Sequence, residues 1–398
     1  MATFAYIVGQ SDVQLWSLES QERISRQLRQ IGGVNLVDDP SDVQDDAQVL
    51  LLRADYLFEV RTLRELLNHN DSAIMHASDS RPAAAFLNAA GTESVLAAMT
   101  AGVDLPAAID TMSSQDLGLF DHQLRKAKPP LLEPLDESNR KNLEAQLYGG
   151  AYKGITDLVT KFWLPRPARY GVRVCARFGL APNTITTVGF VLMLLACYLF
   201  ANGQFALGLI AGWVMTYLDT VDGKLARVTV SSSRFGHLFD HGMDLVHPPF
   251  WYIFWGTALA AAPNLWGLGS SAWMVLIIAG YIGGRLAEML FHQLGSCSIF
   301  SWRPIDAYFR LITARRNPCL ILLTLSVCLG RPDWGFVAVA IWTATTSGIL
   351  VLRLLHGLVV RLRHGPLESW LSDPVRSARD HARAYSTFAS TRGAYAAD

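Results

Sequence analysis

Acid is scarce where this chain is most apolar. Of its 34 Asp and Glu residues, only seven lie between Thr184 and Leu362. There are five cysteines and no C-x-x-C pair, so neither a disulfide framework nor a zinc site is implied. The first sixteen residues, MATFAYIVGQSDVQLW, lack a basic stretch followed by a long apolar run, so no signal peptide is expected. The first apolar stretch, Ala5–Val8, is followed by Gly9-Gln10-Ser11-Asp12 with one glycine. A backbone cradle for a triphosphate needs several. Net charge is zero, so no overall basic excess points to nucleic acid.

That zero hides an asymmetry. Residues 1–150 carry 22 acids and 12 bases; residues 151–398 carry 12 acids and 22 bases. The bases of the second part lie mostly in short loops between apolar runs, the pattern of a membrane protein's cytoplasmic face. In the first part, strand-like and helix-like segments alternate: Ala5–Val8, Glu19–Ile31, Gln48–Leu52, Val60–Leu67, Ala73–His76. Alternation of that kind predicts an α/β domain around a mostly parallel sheet. Lys128–Pro134 is a proline-rich break, and Ser138–Leu147 reads as a connecting helix.

Six apolar spans follow, near Thr184–Phe200, Ala206–Asp222, Asp240–Ala262, Ala272–Leu290, Cys319–Leu329 and Trp334–Leu362. The fifth is short for a span of about 20 residues and is expected to extend back through Ile312–Asn317. Pro248 and Pro249 should kink the third. Trp251, Trp255, Trp266 and Trp273 sit near span ends and read as an interfacial belt. Lys and Arg cluster before the first span, around the second-to-third turn, between the fourth and fifth, and after the sixth. Both termini are therefore expected in the cytoplasm. The organisation is multi-domain: a cytoplasmic α/β domain (1–135), connecting and interfacial helices (136–180), an all-α bundle of six transmembrane helices (181–363) and a cytoplasmic tail (364–398). The tail is read as a surface helix or a disordered segment.

Four of the seven scarce acids form one pattern: Asp219-x-x-Asp222-Gly223-x-x-Ala226-Arg227-x8-Gly236-x3-Asp240-x3-Asp244. Carboxylates beside hydrocarbon are costly and rarely left unpaired. On helices, Asp219 and Asp222 share a face, as do Asp240 and Asp244. Two such helices side by side converge hard oxygen ligands on a divalent cation, with Mg²⁺ or Mn²⁺ the best match. Gly223, Ala226 and Gly236 leave room for a phosphorylated ligand, and Arg227 can grip a phosphate bidentately. The stretch 228–235, with Ser231, Ser232 and Ser233, reads as the turn between the two helices. His237, His241 and His247 lie nearby, where packing or second-layer support fits hard aspartates better than zinc does.

This pattern resembles, without departure, the signature of the class I CDP-alcohol phosphatidyltransferase family. Two looser features agree with it: Pro182-Asn183-x-x-Thr186 at the first span, and Lys153-Gly154-Ile155-Thr156-Asp157 with Lys161 upstream. The resemblance implies transfer of a phosphoalcohol unit from a CDP-alcohol, such as CDP-diacylglycerol, to a hydroxyl acceptor, with release of CMP. It implies two metal ions on Asp219, Asp222, Asp240 and Asp244, with Asp244 also taking the acceptor's proton. Gly223, Ala226, Arg227 and Gly236, with Asn183 and Thr186, would hold the nucleotide and phosphates. Lys161, Arg303, Arg315 and Arg316 are candidates for the acceptor site. Membrane lipids and a second copy of the chain are the implied partners, a bacterial-type inner membrane the implied location, and nucleic acid is not among its ligands.

The α/β domain resembles a degenerate, Rossmann-like nucleotidyltransferase, with Asp55 at the end of a strand as its candidate ligand residue. Its lone Gly9 argues against catalysis there. Two rival readings are a bifunctional enzyme that also makes its own CDP-alcohol from CTP, and a non-enzymatic lipid-binding or transport protein.

Overall fold

The computed structural model describes residues 2–44, 46–69, 72–101, 109–114, 116–117, 120–121, 124–127 and 130–389. The side chains of Arg234, Phe235, His237, Asp240 and His241 lie outside that description, as do residues 128–129 of the expected proline-rich break.

The strands run β1 Thr3–Val8, β2 Gln14–Leu15, β3 Leu18–Glu19, β4 Val34–Leu36, β5 Gln48–Arg53 and β6 Tyr56–Phe58. They continue with β7 Ala73–His76, β8 Pro82–Asn88, β9 Asp110–Ser113, β10 Phe120–Asp121, β11 Lys126–Ala127 and β12 Leu132–Pro134. Three helices lie among them: α1 Ser20–Ile31, α2 Val60–Leu67 and α3 Thr92–Ala101. The main sheet has the order β4-β1-β5-β8-β7-β9. It is mostly parallel, as expected, but mixed by one reversed strand: β8 runs antiparallel to both β5 and β7, while β1–β4, β1–β5 and β7–β9 are parallel. The reason is that β7 and β8 are joined by the short 77–81 connection, which permits a hairpin but no crossover helix. Val49, Leu50, Leu51 and Leu52 of β5 are all fully buried, because helices cover both sides of this central strand.

Asp55, the candidate ligand residue, is engaged by its neighbour. Arg53 Nη2 lies 2.6 Å from Asp55 Oδ2 and Arg53 Nε lies 2.9 Å from Oδ1.

The second part is helical: α4 Arg140–Gly150, α5 Pro165–Arg177, α6 Pro182–Ala201, α7 Phe205–Val228, α8 Arg234–Ala258 and α9 Ser270–His292. Then come α10 Pro304–Ile312, α11 Arg316–Cys328, α12 Pro332–His364, α13 Pro374–Asp380 and α14 Ala382–Phe388. Among the described residues, α6, α9 and α12 are each long and apolar enough to cross a membrane. The pair α10 and α11, bent by 42°, makes a fourth if it is one span. The chain is an integral membrane protein on these helices. The expected extension of the fifth span through Ile312–Asn317 is interrupted at residues 313–315, between α10 and α11.

Helix α8 runs through Pro248 and Pro249. Pro249 donates no hydrogen bond to the carbonyl four residues before it. Tyr281 of α9 does so instead, its hydroxyl 2.8 Å from Leu245 O. Of the expected tryptophan belt only Trp266 is exposed; Trp251, Trp255 and Trp273 are buried in the bundle core. Each buried indole has found an acceptor: Met193 O, Pro332 O and Pro263 O respectively. Near a span end that pairing makes burial cheap, since the ring contributes apolar area and its one donor is satisfied. The described part of the tail, residues 364–389, is folded against the bundle: Leu367, Leu371, Ala384 and Phe388 are buried with Phe291, Phe300 and Trp302.

The α/β domain is docked on the bundle by two arginines of α1. Arg23 of α1 is buried and donates to Val228 O, at the end of α7, and to Leu15 O, each at 2.8 Å. Arg26 donates to Thr229 O at 3.0 Å. These carbonyls close a helix C-terminus and have no donor within the helix. Burial, and then the nearby Arg26, pulls the Arg23 guanidinium down to about 10, so it stays charged at neutral pH. Around it Leu15, Trp16 and Leu57 share one core with Val221, Leu225 and Val228 of α7. Arg23→Ala leaves two buried carbonyls unpaired. A hydrogen bond from a charged donor is worth roughly 1.5–3 kcal/mol, so undocking is expected. Limited proteolysis should then cut between residues 109 and 135 faster than in the wild type; an unchanged rate would refute the docking role.

Candidate active site

The motif aspartates stand on α7 and α8, joined by the short 229–233 loop that the serines predicted. Ser233 accepts from Gly236 N at 2.9 Å and so caps α8. Gly236 has a steric reason to be glycine. A Cβ there would lie 2.6 Å from Asn183 Oδ1 and 2.9 Å from Ser233 Oγ. The motif glycine and the asparagine at the start of α6 are therefore in contact, which their separate places in the sequence could not show. Gly236→Ala should cost about 1–3 kcal/mol as an overpacking change. Its thermal midpoint should fall and Asn183→Ala should partly restore it; no loss in the single variant would contradict this packing.

Thr186, one turn along from Asn183, donates to Asp222 Oδ2 at 2.6 Å. Asp222 is buried, and its Oδ1 has no hydrogen-bond partner among the described residues. Asp219 and Asp244 meet on one guanidinium: Arg316 Nη2 lies 2.6 Å from Asp219 Oδ2 and Arg316 Nη1 lies 2.5 Å from Asp244 Oδ1. The two carboxylates differ in openness. The Asp244 side chain is 43 % exposed and that of Asp219 is 16 % exposed. Asp219 and Asp244 are thus joined through Arg316, Asp222 is held by Thr186, and the Asp240 side chain lies outside the description.

Arg316 is placed by a network the sequence did not reveal. Its Nε donates to Asn317 Oδ1 at 3.2 Å, and Asn317 Nδ2 donates to Asp157 Oδ1 at 3.0 Å. Asp157 also accepts from Val159 N, Thr160 N and Thr160 Oγ1. Burial raises the Asp157 carboxyl, but Arg310 and these hydrogen bonds outweigh it and hold the group below the usual carboxylate range. The upstream Lys153–Asp157 feature is therefore wired to the motif through Asn317. No motif names Asn317; its only signal is a polar amide at the first turn of an apolar helix.

The other candidates divide. Arg227 Nη1 donates to Gly223 O at 3.1 Å and Ala151 O at 3.2 Å, so its guanidinium lies along the motif turn. A Cβ on Gly223 would meet only Arg227, at 3.7 Å, which leaves its surface open. Lys161 Nζ donates to Gly154 O at 2.8 Å and lies 5.3 Å from the Phe388 ring; burial pulls its ammonium down to about 8. Arg315 stacks on Phe300 at 5.4 Å. Arg303 is not with them: it is exposed and stacks on Trp302 at 4.7 Å. His247 is buried, with Nδ1 2.6 Å from Met243 O and its ring 4.8 Å from Trp251, a packing role.

The family model for CDP-alcohol phosphatidyltransferase matches residues 179–342. Those residues are a CDP-alcohol phosphatidyltransferase domain. The match spans α6 to the first part of α12 and contains every motif position. The chain is similar to cholinephosphotransferase 1 of Danio rerio, 30% identical over 166 residues, which are 38% of this chain and 39% of that protein. It is similar to archaetidylinositol phosphate synthase of Pyrococcus horikoshii, 40% identical over 73 residues, 18% of this chain and 38% of that protein. A choline/ethanolaminephosphotransferase of Arabidopsis thaliana is 36% identical over 100 residues, 22% of this chain and 25% of that one. The chain spans no more than about two-fifths of the length of these relatives.

The transferase domain's acids suit a hard divalent cation. All are carboxylates, and Asp222 presents a buried oxygen that nothing among the described residues satisfies. Among the described residues no three His, Cys, Asp or Glu side chains form a ready metal cluster; Arg316 lies between Asp219 and Asp244 instead.

Proposed function

We propose that the chain is a membrane transferase that moves a phosphoalcohol group from a CDP-alcohol to a hydroxyl acceptor and releases CMP, in the synthesis of phospholipids or related polar lipids. The single observation that carries it is the joining of Asp219 and Asp244 on one guanidinium, with Asp222 held by Thr186 of α6. Six helices, α6 to α9, α11 and α12, are read as the membrane bundle, with α7 and α8 tolerated there because their acids face one another. Both termini and the site face the cytoplasm in this reading, a bacterial-type inner membrane is its location, and a homodimer its assembly.

In the reaction the acceptor oxygen attacks the phosphorus that carries the alcohol. The bond from that phosphorus to the CMP phosphate oxygen breaks, and CMP leaves with the electron pair. Asp219, Asp222, Asp240 and Asp244 would hold Mg²⁺ or Mn²⁺, which supplies charge neutralisation for the diphosphate and the departing CMP. Asp244, the most open of the described acids, takes the acceptor's proton. Thr186 fixes the Asp222 carboxylate, leaving its free oxygen presented. Arg227 borders the phosphates, and Gly223, Ala226 and Gly236 border the cytidine. Arg316 neutralises Asp219 and Asp244 until the site is loaded, then is free to turn to a substrate oxygen. Arg315 and Lys161 lie on the acceptor side.

The α/β domain is read as a scaffold, not a working cytidylyltransferase, because Arg53 already engages Asp55 and Gly9 is alone. Pyrophosphate release from CTP and phosphorylated alcohols, lost in Asp55→Ala, would favour the bifunctional reading. The main experiment incubates purified protein with labelled CDP-alcohols, a panel of hydroxyl acceptors and Mg²⁺. CMP release that needs both substrates and stops with EDTA is expected. No CMP from any pair would overturn the transferase reading and favour lipid binding or transport.

A further inference from the structure

Three stretches far apart in the chain meet at Gly154. Its backbone N donates to Leu124 O at 2.8 Å, in the connection between β10 and β11. A Cβ there would run into two carbonyl oxygens, Arg125 O of that connection and Phe388 O of α14. Only glycine fits between them. Lys161 Nζ donates to Gly154 O at 2.8 Å and stands 5.3 Å from the Phe388 ring. That ring also meets Tyr308 of α10 edge-on at 5.0 Å. Phe388, Ile155 and Ala127 are buried in one core. The tail, the α/β domain and the segment before the first span thus close on one another at a single residue.

The tail reaches this place along a fixed track. Ser296 N donates to Leu367 O at 3.1 Å, and Trp370 N donates to Ser301 O at 3.1 Å. These bonds stitch the chain beyond α12 to the connection between α9 and α10. A terminus tied down in this way is ordered by its contacts. On the other side, the segment held at Gly154 runs on to the site. Three residues later the buried Asp157 carboxylate accepts from Asn317 Nδ2 at 3.0 Å, and Thr160 Oγ1 accepts from the same amide at 3.2 Å. Asn317 Oδ1 accepts from Arg316 Nε at 3.2 Å, and the Arg316 guanidinium spans Asp219 and Asp244.

We propose that Phe388 and Gly154 are positioning residues for transfer. The tail and the β10–β11 connection grip the 154–157 segment between them, and that grip, passed through Asp157 and Asn317, fixes the Arg316 guanidinium across Asp219 and Asp244. Residues 153–157 belong to no helix or strand, so contacts of this kind decide where Asp157 stands. Arg316 needs such a guide, because a long flexible side chain holds one geometry only where its neighbours impose it. A displacement of about 1 Å by a change far from the chemistry can cost roughly 10²-fold in rate. The effect on rate rests on the transferase reading; the mechanical link from tail to Arg316 does not. Both the tail and the α/β domain thereby gain a role in the reaction that needs no CTP chemistry.

The test uses the full chain in detergent and reads CMP release together with amide exchange at residues 159–161 and 316–320. It compares the wild type, Phe388→Ala, Phe388→Leu, Asn317→Ala and the double variant Phe388→Ala with Asn317→Ala. Phe388→Ala should lower kcat by about tenfold with the KM for the CDP-alcohol little changed, and should speed exchange in both segments. Phe388→Leu, which keeps apolar bulk, should recover part of each. Because the link runs through Asn317, Phe388→Ala should cost less than about threefold more once Asn317 is alanine. The same tenfold loss in both backgrounds would overturn the link, since a merely structural role for Phe388 adds to the loss of Asn317. If Phe388→Ala does not fold, Phe388→Leu takes its place in the same comparison. Unchanged exchange at 159–161 and 316–320 would overturn the link without reference to activity. Faster exchange in a protein whose wild type releases no CMP from any substrate pair would support the link and sink the transferase reading alone.

Discussion

Replacing Asp244 by Asn is expected to slow phosphoalcohol transfer by about 10²–10⁴-fold while leaving CDP-alcohol binding in place. The substitution keeps shape and one acceptor oxygen. Arg316 Nη1, 2.5 Å from Asp244 Oδ1, can therefore keep its hydrogen bond, and α8 should not move. What disappears is the basicity that takes the acceptor's proton. Asp244 suits that task because its side chain is the most open of the described motif acids. Asp219 and Asp222 lie deeper, and alanine at either should cost binding as well as turnover. Single-turnover CMP release separates the two patterns. An Asp244→Asn enzyme retaining more than about a tenth of the wild-type rate would remove Asp244 as the base.

Loss of Arg316 is expected to destabilise the metal-free protein by about 3–5 kcal/mol, the usual range when one partner of a buried ion pair is removed. Its guanidinium spans Asp219 and Asp244 and is 10 % exposed, so Arg316→Ala leaves both carboxylates without their shared cation, the deeper Asp219 most of all. A divalent cation should supply the missing charge. The Arg316→Ala protein should therefore regain much of its thermal midpoint on adding Mg²⁺, and should depend on Mg²⁺ for stability more steeply than the wild type. An equal deficit with and without Mg²⁺ would show that Arg316 and the cation do not serve the same carboxylates.

The aspartate motif was legible because four acids in an apolar stretch have few physical reasons to exist. Its partners in space were only partly legible. Asn183 and Gly236 appeared as separate features; that one excludes a side chain on the other is a fact of helix packing, 53 residues apart in the chain. Asn317 carries no spacing signature at all. The tryptophans misled for a related reason. Position near a span end is visible in sequence, but whether the indole faces lipid or a neighbouring helix depends on which carbonyl is within reach. The reversed strand β8, Pro82–Asn88, was not legible as a strand, and its direction is set by the tight connection to β7.

The two arginines of α1 that close the end of α7 also set an order of assembly. Arg23 and Val228 are 205 residues apart, so their bond cannot form until the first helices are in the bilayer. The sheet needs nothing beyond residue 113 to complete its strand order, and so can form while most of the chain is still unmade. For that interval α1 shows water a face built for carbonyls, and the emerging end of α7 has no cap. Biogenesis then finishes with a long-range closure between a preformed globule and a freshly inserted helix pair, a step of high loop-closure entropy and slow by that measure. Substitutions at Arg23 or Arg26 should accordingly betray themselves first as low yield from the membrane, before any defect in the mature protein is measurable.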